Sequence, residues 1–153
     1  MTDEFANPVQ VVMDVADPAR LAQFWATALG YVVQPPPDGF DSWPDFLSSI
    51  GVPESAWNSR SAVVDPRGRG PRLFFQQVPE PKTVKNRVHV DVNAVVTEGG
   101  DTARIEPDAR RAAVARWVDV VVGAGATTVQ TVEEQGEHWV VLQDPEGNEF
   151  CVH

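Results

Sequence analysis

The strongest constraint on the fold is an internal repeat. Gln10-Val11-Val12-Met13-Asp14-Val15 is echoed by His89-Val90-Asp91-Val92-Asn93-Ala94, and Val64-Asp65-Pro66-Arg67-Gly68 by Gln143-Asp144-Pro145-Glu146-Gly147. Both pairs lie at one offset of 79 residues (10 to 89 and 65 to 144). Repetition at a fixed spacing marks a duplicated structural unit. The modules run from 6 to 80 and from 86 to 153, joined by the Pro79-Glu80-Pro81-Lys82 stretch. We read 1–153 as a single domain made of these two modules.

Each module reads as a strand, a helix and three strands, which sets the class as α+β. In the first, Asp17 suits the N-cap and Pro18 the first helical position, where a missing N–H costs nothing. Leu21, Phe24, Trp25 and Ala28 follow at helical spacing as one apolar stripe, and Gly30 supplies a left-handed stop. The second helix starts near Pro107, carries Val114, Trp117, Val118 and Val121, and ends at Gly123 or Gly125. Strands are expected over Gln10–Val15, Tyr31–Gln34, Ser61–Val64 and Arg72–Val78. Their counterparts are Arg87–Asn93, Ala126–Val132, His138–Gln143 and Glu149–His153.

The loops break the symmetry. Gln10 to Leu29 spans 19 positions and His89 to Ala124 spans 35, the excess falling in the acidic Glu98–Glu106 stretch. The first module has its own insertion after the helix, from Pro35 to Trp57. It holds Phe40, Trp43, Phe46, Ile50 and Trp57 among prolines and glycines. Loops of this length carry function or pack as a lid.

Charge narrows the partners. Twelve basic against 22 acidic residues leave −10. Such a surface repels phosphate backbones and anionic headgroups, which speaks against nucleic acid and membrane partners. No apolar run reaches the ~20 residues that span a bilayer. Cys151 is the single cysteine. With no partner for an internal disulfide, a reducing, cytoplasmic location is the expectation. Arg67, Arg69 and Arg72 read as surface charges of a turn. Lys82, Lys85 and Arg87 gather at the junction, where they could receive a ligand's carboxylate or phosphate.

Alternation sorts the strand faces. Val88, Val90 and Val92 form one face, and Arg87, His89, Asp91 and Asn93 the other. In the first module Val9, Val11, Met13 and Val15 match the apolar face, and Gln10, Val12 and Asp14 the polar one. Two half-sheets with polar faces inward would enclose a cleft, with Gln10 and His89 at equivalent places. The cleft forms within one chain or across two. Open sheet edges favour a homodimer.

The duplicated strand–helix–three-strand unit, Asp17-Pro18-Ala19-Arg20 before a helix with Phe24-Trp25, the Lys85-Asn86-Arg87-Val88-His89-Val90-Asp91 strand and the closing Asp144-Pro145-Glu146-Gly147-Asn148-Glu149-Phe150 resemble the vicinal oxygen chelate superfamily. The similarity is strongest to its glyoxalase-like domains and covers residues 7 to 153. It implies two βαβββ modules forming a half-barrel around a cleft. The superfamily includes glyoxalase I, extradiol dioxygenases, epimerases, fosfomycin-type thiol transferases and bleomycin-binding proteins that perform no chemistry.

Metal-dependent members hold a divalent ion on His or Gln from the first strand of each half and Glu from the last. By position, the resemblance assigns Gln10 and His89 as metal ligands, suited to Zn, Ni, Fe or Mn. The expected glutamate of the second half is Cys151. Its counterpart in the first half is Phe74 or Gln76. The missing carboxylates weigh against a resident metal and remove the glutamate that moves a proton in the glyoxalase I mechanism. Glu149, on the same strand face as Cys151, is the one candidate catalytic carboxylate.

The expected cleft residues are therefore Gln10, Asp14, Gln76, Arg87, His89, Asp91 and Cys151. Two readings of function stand side by side. One is a metal-dependent lyase or isomerase of glyoxalase type. The other is a metal-free protein that binds or sequesters a small molecule, as resistance proteins do. The aromatic insertion and the missing glutamates favour the second; His89 with Gln10 keeps the first alive.

Overall fold

Residues 7–95 and 105–153 are described by a computed structural model. Most of the acidic Glu98–Glu106 stretch lies outside the described residues. The chain divides into two compact units, one of residues up to Ala26 with Gly30–Glu80, the other of Thr27–Leu29 with Pro81–His153.

The first unit runs β1 (Gln10–Val15), α1 (Pro18–Leu29), β2 (Val32–Val33), α2 (Trp43–Ser49), a 3-10 turn at Glu54–Ser59, β3 (Arg60–Val64) and β4 (Arg72–Gln77). Its sheet has the order β1-β4-β3-β2, with β1 and β4 parallel and the other pairs antiparallel. The second unit runs β5 (Val90–Val92), α3 (Pro107–Gly123), β6 (Thr127–Glu134), β7 (Glu137–Gln143) and β8 (Glu149–Val152). Its order, β5-β8-β7-β6, repeats that connectivity strand for strand, including the parallel β5–β8 pair. The fold is α+β, with two four-stranded sheets.

The predicted helix signals act where expected. Asp17 Oδ1 accepts the Arg20 N–H at 3.2 Å, and Gly30 stops α1 at φ 64°. On α1, Leu21, Phe24, Trp25 and Ala28 are all buried. Phe24 and Trp25 meet edge to face at 5.5 Å. Val63, Leu73 and Phe75 are buried on the strands, and burying each such side chain contributes roughly 1.5–3 kcal/mol. In the second unit Val114 and Val121 of α3 are buried along with Val140, Leu142, Phe150 and Val152. Gly125, at φ 118°, lies just past the end of α3.

The repeated Asp-Pro-x-Gly segments build the same turn twice. Asp65 Oδ1 accepts the Arg67 N–H at 2.8 Å, and its Oδ2 accepts those of Arg69 and Gly70. Asp144 Oδ1 accepts the Glu146 and Asn148 N–H groups at 2.9 Å. A carboxylate that takes up several turn N–H groups closes the loop without a second strand.

Two expectations are corrected. The strand expected over Arg87–Asn93 is paired only over Val90–Val92, and Val88 is 82 % exposed rather than part of an apolar face. The Asn86 N–H goes to the Glu149 carboxylate at 3.0 Å, which draws the chain away from the ladder before β5. Val9, expected on the apolar face of the first strand, is likewise exposed and precedes β1.

Candidate functional site

The Pro35–Trp57 insertion folds into ordered structure over the first sheet. Ser42 caps α2 by accepting the Asp45 N–H at 3.2 Å while its hydroxyl donates to Asp45 Oδ2 at 2.6 Å. Trp43 Nε1 donates to the Gln34 carbonyl at 2.7 Å, and Trp57 Nε1 to the Val52 carbonyl at 3.0 Å. Phe46 packs edge to face with Phe40 and Trp43 at 5.2 and 5.8 Å. These bonds fix aromatic rings whose polar ends already have partners, so their apolar bodies face inward without penalty.

Between this roof and the sheet lies a cavity of about 630 Å³. It is lined by Trp43, Phe46, Leu47 and Trp57 from the insertion and by Arg72 and Phe74 from β4. That volume suits a small organic ligand. All its lining residues belong to the first unit. Among the described residues, the lining contains no Asp, Glu, His, Cys, Lys or Tyr.

Arg72 and Arg60 are the cationic groups of this cavity, and sequence reasoning missed both; Arg72 reads as a turn charge. The β1–β4 register sets Gln10 opposite Arg72, Val12 opposite Phe74 and Asp14 opposite Gln76. Arg72 Nη1 donates to Gln10 Oε1 at 2.5 Å and its Nε to Gln34 Oε1 at 2.7 Å. The guanidinium carbon stands 5.0 Å from the Phe74 ring centroid. Both hydrogen-bond partners are neutral, and among the described residues no carboxylate forms an ion pair with Arg72. Further along the same face, Gln76 Nε2 donates to Asp14 Oδ1 at 3.2 Å.

The second unit carries a different constellation. Asp91 of β5 is in register with Cys151 of β8, and His89 sits just before β5. The ligating atoms of His89, Asp91 and Cys151 all lie within 4.8 Å of one another. His89 Nε2 is 3.3 Å from Asp91 Oδ1, and His153 Nε2 is 3.5 Å from Asp91 Oδ2. Burial pushes the Cys151 thiol up, and the neighbouring Asp91 charge adds to the rise. Arg87 is exposed and outside any strand.

Glu149 is already engaged. The Asn86 N–H, with Lys82 Nζ 3.2 Å away, holds its carboxyl down to about 2. Lys82, read as a ligand's cation, thus faces Glu149. A carboxylate so well satisfied is a poor proton acceptor near neutral pH.

The two registers also settle which first-half residue matches Cys151. Gln10 and His89 are equivalent, so the Val12–Phe74 pair corresponds to Asp91–Cys151, and the counterpart is Phe74. A phenyl ring offers no donor, and the Gln10 amide oxygen is taken by Arg72. At the two first-half positions that the resemblance would use, no free donor is offered, whereas His89, Asp91 and Cys151 of the second half are suitable ligands.

The chain belongs to the glyoxalase-like domain family, whose profile matches residues 10–153. That places it in the vicinal oxygen chelate superfamily. Its fold is shared with a glyoxalase/bleomycin resistance protein/dioxygenase family enzyme from Burkholderia phytofirmans PsJN, at 19% identity and TM-score 0.56, covering 96% of this chain and 97% of that one. The fosfomycin resistance protein FosX from Listeria monocytogenes, in a variant complexed with Mn(II) and 1S,2S-dihydroxypropylphosphonic acid, is similar at 10% identity and TM-score 0.59, covering 97% and 90%. A possible glyoxalase from Bacillus cereus is similar at 12% identity and TM-score 0.56, covering 95% and 96%. No curated protein sequence matches. Among the described residues, no helix is long and apolar enough to cross a membrane.

Proposed function

We propose that this protein binds a small, largely apolar molecule bearing an acidic group, holding it in the first-unit cavity without transforming it. The observation that carries this reading is the lining. Largely aromatic and aliphatic walls line about 630 Å³, and the Arg72 guanidinium stands in them together with Arg60. Among the described residues neither forms an ion pair with a carboxylate, and no carboxylate, imidazole, thiol, amine or phenol lines the cavity. General acid–base chemistry needs such a group within hydrogen-bond reach of the substrate. An arginine between neutral amides and a ring binds a carboxylate or phosphonate through charge-assisted bonds. The apolar walls contribute affinity by removing the rest of the molecule from water.

The reading corresponds to the sequestering members of the superfamily rather than to its lyases and isomerases. It carries with it a homodimer, since open sheet edges favour a second copy. The test is a titration followed by the fluorescence of Trp43 and Trp57, using aromatic acids and their neutral amides. Saturable one-to-one binding with the acid recovered unchanged supports the proposal. Failure of every acid to bind, or conversion of a bound one, rejects it.

A further inference from the structure

We propose that the second unit holds one zinc ion on His89, Asp91 and Cys151, with His153 as the fourth donor. The argument starts from strand geometry. On β8 side chains alternate, so Glu149, Cys151 and His153 share one face, and the β5–β8 register brings Asp91 beside Cys151 on that face. His89, two residues before Asp91, joins them. Glu149 is withdrawn by Lys82 and Asn86, which leaves the His89 imidazole, the Asp91 carboxylate and the Cys151 thiol converging, with His153 Nε2 3.5 Å from the other Asp91 oxygen.

His153 supplies an independent sign. Its ring stacks on Trp139 with centroids 5.9 Å apart and planes 19° from parallel. The Nε2 atom is shut off from solvent and makes no hydrogen bond, its 3.5 Å approach to Asp91 Oδ2 being an ion-pair contact only. Buried ring nitrogens ordinarily find a hydrogen-bond partner. A cation next to Asp91 would satisfy it and would also be shared by His89 Nε2 from the other carboxylate oxygen.

The donor set selects the ion. Nitrogen, sulfur and a single carboxylate in tetrahedral number suit zinc, whereas manganese and magnesium favour oxygen-rich sites. The superfamily's usual arrangement draws on both halves and on glutamates. Here Cys151 replaces one glutamate, Phe74 the other, and Gln10 is engaged with Arg72. The inferred site is therefore confined to one half and changed in its preferred metal. Zinc would displace the thiol proton and form a Zn–S bond, the proton passing to solvent.

The test uses tag-free full-length protein, stripped and reloaded, with zinc affinity measured by competition against a chromophoric chelator. One zinc per chain is expected, tighter than manganese. Cobalt(II) in its place should give a thiolate-to-cobalt charge-transfer band. His89→Ala and Asp91→Asn should each weaken zinc by at least about tenfold, and Gln10→Ala should leave it within about twofold. The His89 and Asp91 side chains are 44% and 56% exposed, so these variants keep the fold, which thermal melts verify. Should a variant unfold, the cobalt spectrum of the unaltered chain decides. The inference is overturned by no stoichiometric zinc, by a cobalt spectrum without the thiolate band, by tighter manganese, or by a loss in Gln10→Ala equal to that in His89→Ala.

Discussion

Asn58 clasps the first turn of α1 from the far end of the insertion: its Nδ2 donates to Asp17 Oδ1 at 2.8 Å while its Oδ1 accepts the Ala19 N–H at 2.9 Å. One side chain thus fastens the cavity's roof to the helix that follows β1. Asn58→Ala should lower stability by about 1–2 kcal/mol, since each bond contributes roughly 0.5–1.5 kcal/mol net. Asn58 is the main cause of the lowered Asp17 carboxyl, which should rise towards its ordinary value in the variant. Thermal melts and an NMR titration of Asp17 check both effects. An unchanged melting point would show that the Asn58 bonds add nothing to the roof's other contacts.

Arg72→Gln should weaken the binding of acidic aromatic ligands by about tenfold or more, the scale of a charged hydrogen bond. Neutral amides of the same skeleton should be nearly unaffected. The comparison of acid and amide, titrated by tryptophan fluorescence, separates lost charge from a damaged cavity.

Gly70 has no room for a side chain. A Cβ there would lie 1.8 Å from the Tyr31 hydroxyl oxygen and 3.0 Å from the ring carbon that bears it. Gly70→Ala should therefore destabilise by about 1–3 kcal/mol, the range for overpacking. Adding Tyr31→Phe, which deletes the oxygen, should recover part of the loss. Denaturant melts of the single and double variants measure the coupling.

The Asp65 carboxyl lies below its ordinary range because the Arg67 and Gly70 N–H groups bind its charged form. A depressed folded value means the contribution is fully present above the unfolded value of about 3.9 and fades as pH falls through the folded one. Asp65→Asn should be less stable than the parent at neutral pH and no less stable at strongly acid pH. Chemical denaturation of both across pH 2 to 7 tests the convergence.

The duplication, both long helices and most strands were legible because local chemistry states them directly: Asp17-Pro18 opens α1, Gly30 closes it, and the two Asp-Pro-x-Gly turns recur at one offset. What escaped is instructive. Trp43, Phe46, Leu47 and Ile50 follow Ser42 at helical spacing, which signals α2, but the surrounding prolines and glycines made the segment read as loop. Val88 obeys the alternation of a strand yet lies outside one, since pairing begins only at Val90 and just upstream the Asn86 N–H bonds the Glu149 side chain instead of a strand. The site divided similarly. His89, Asp91 and Cys151 were visible through alternation and resemblance. Arg72 was hidden, since only the folded insertion turns a turn-side arginine into a cavity group.

The paired registers carry an evolutionary consequence. At one backbone address the first copy holds Val12 and Phe74, the second Asp91 and Cys151; two residues earlier stand Arg72 and Glu149, opposite in charge. A binding centre assembled from both copies ties them together, since a change in either must be matched by the other. Here each copy keeps its own set of chemically active side chains, one oily and cationic, the other rich in soft donors. If each proposed site draws on one copy alone, a substitution in one half needs no matching change in the other, and the two copies can specialise separately inside a single reading frame.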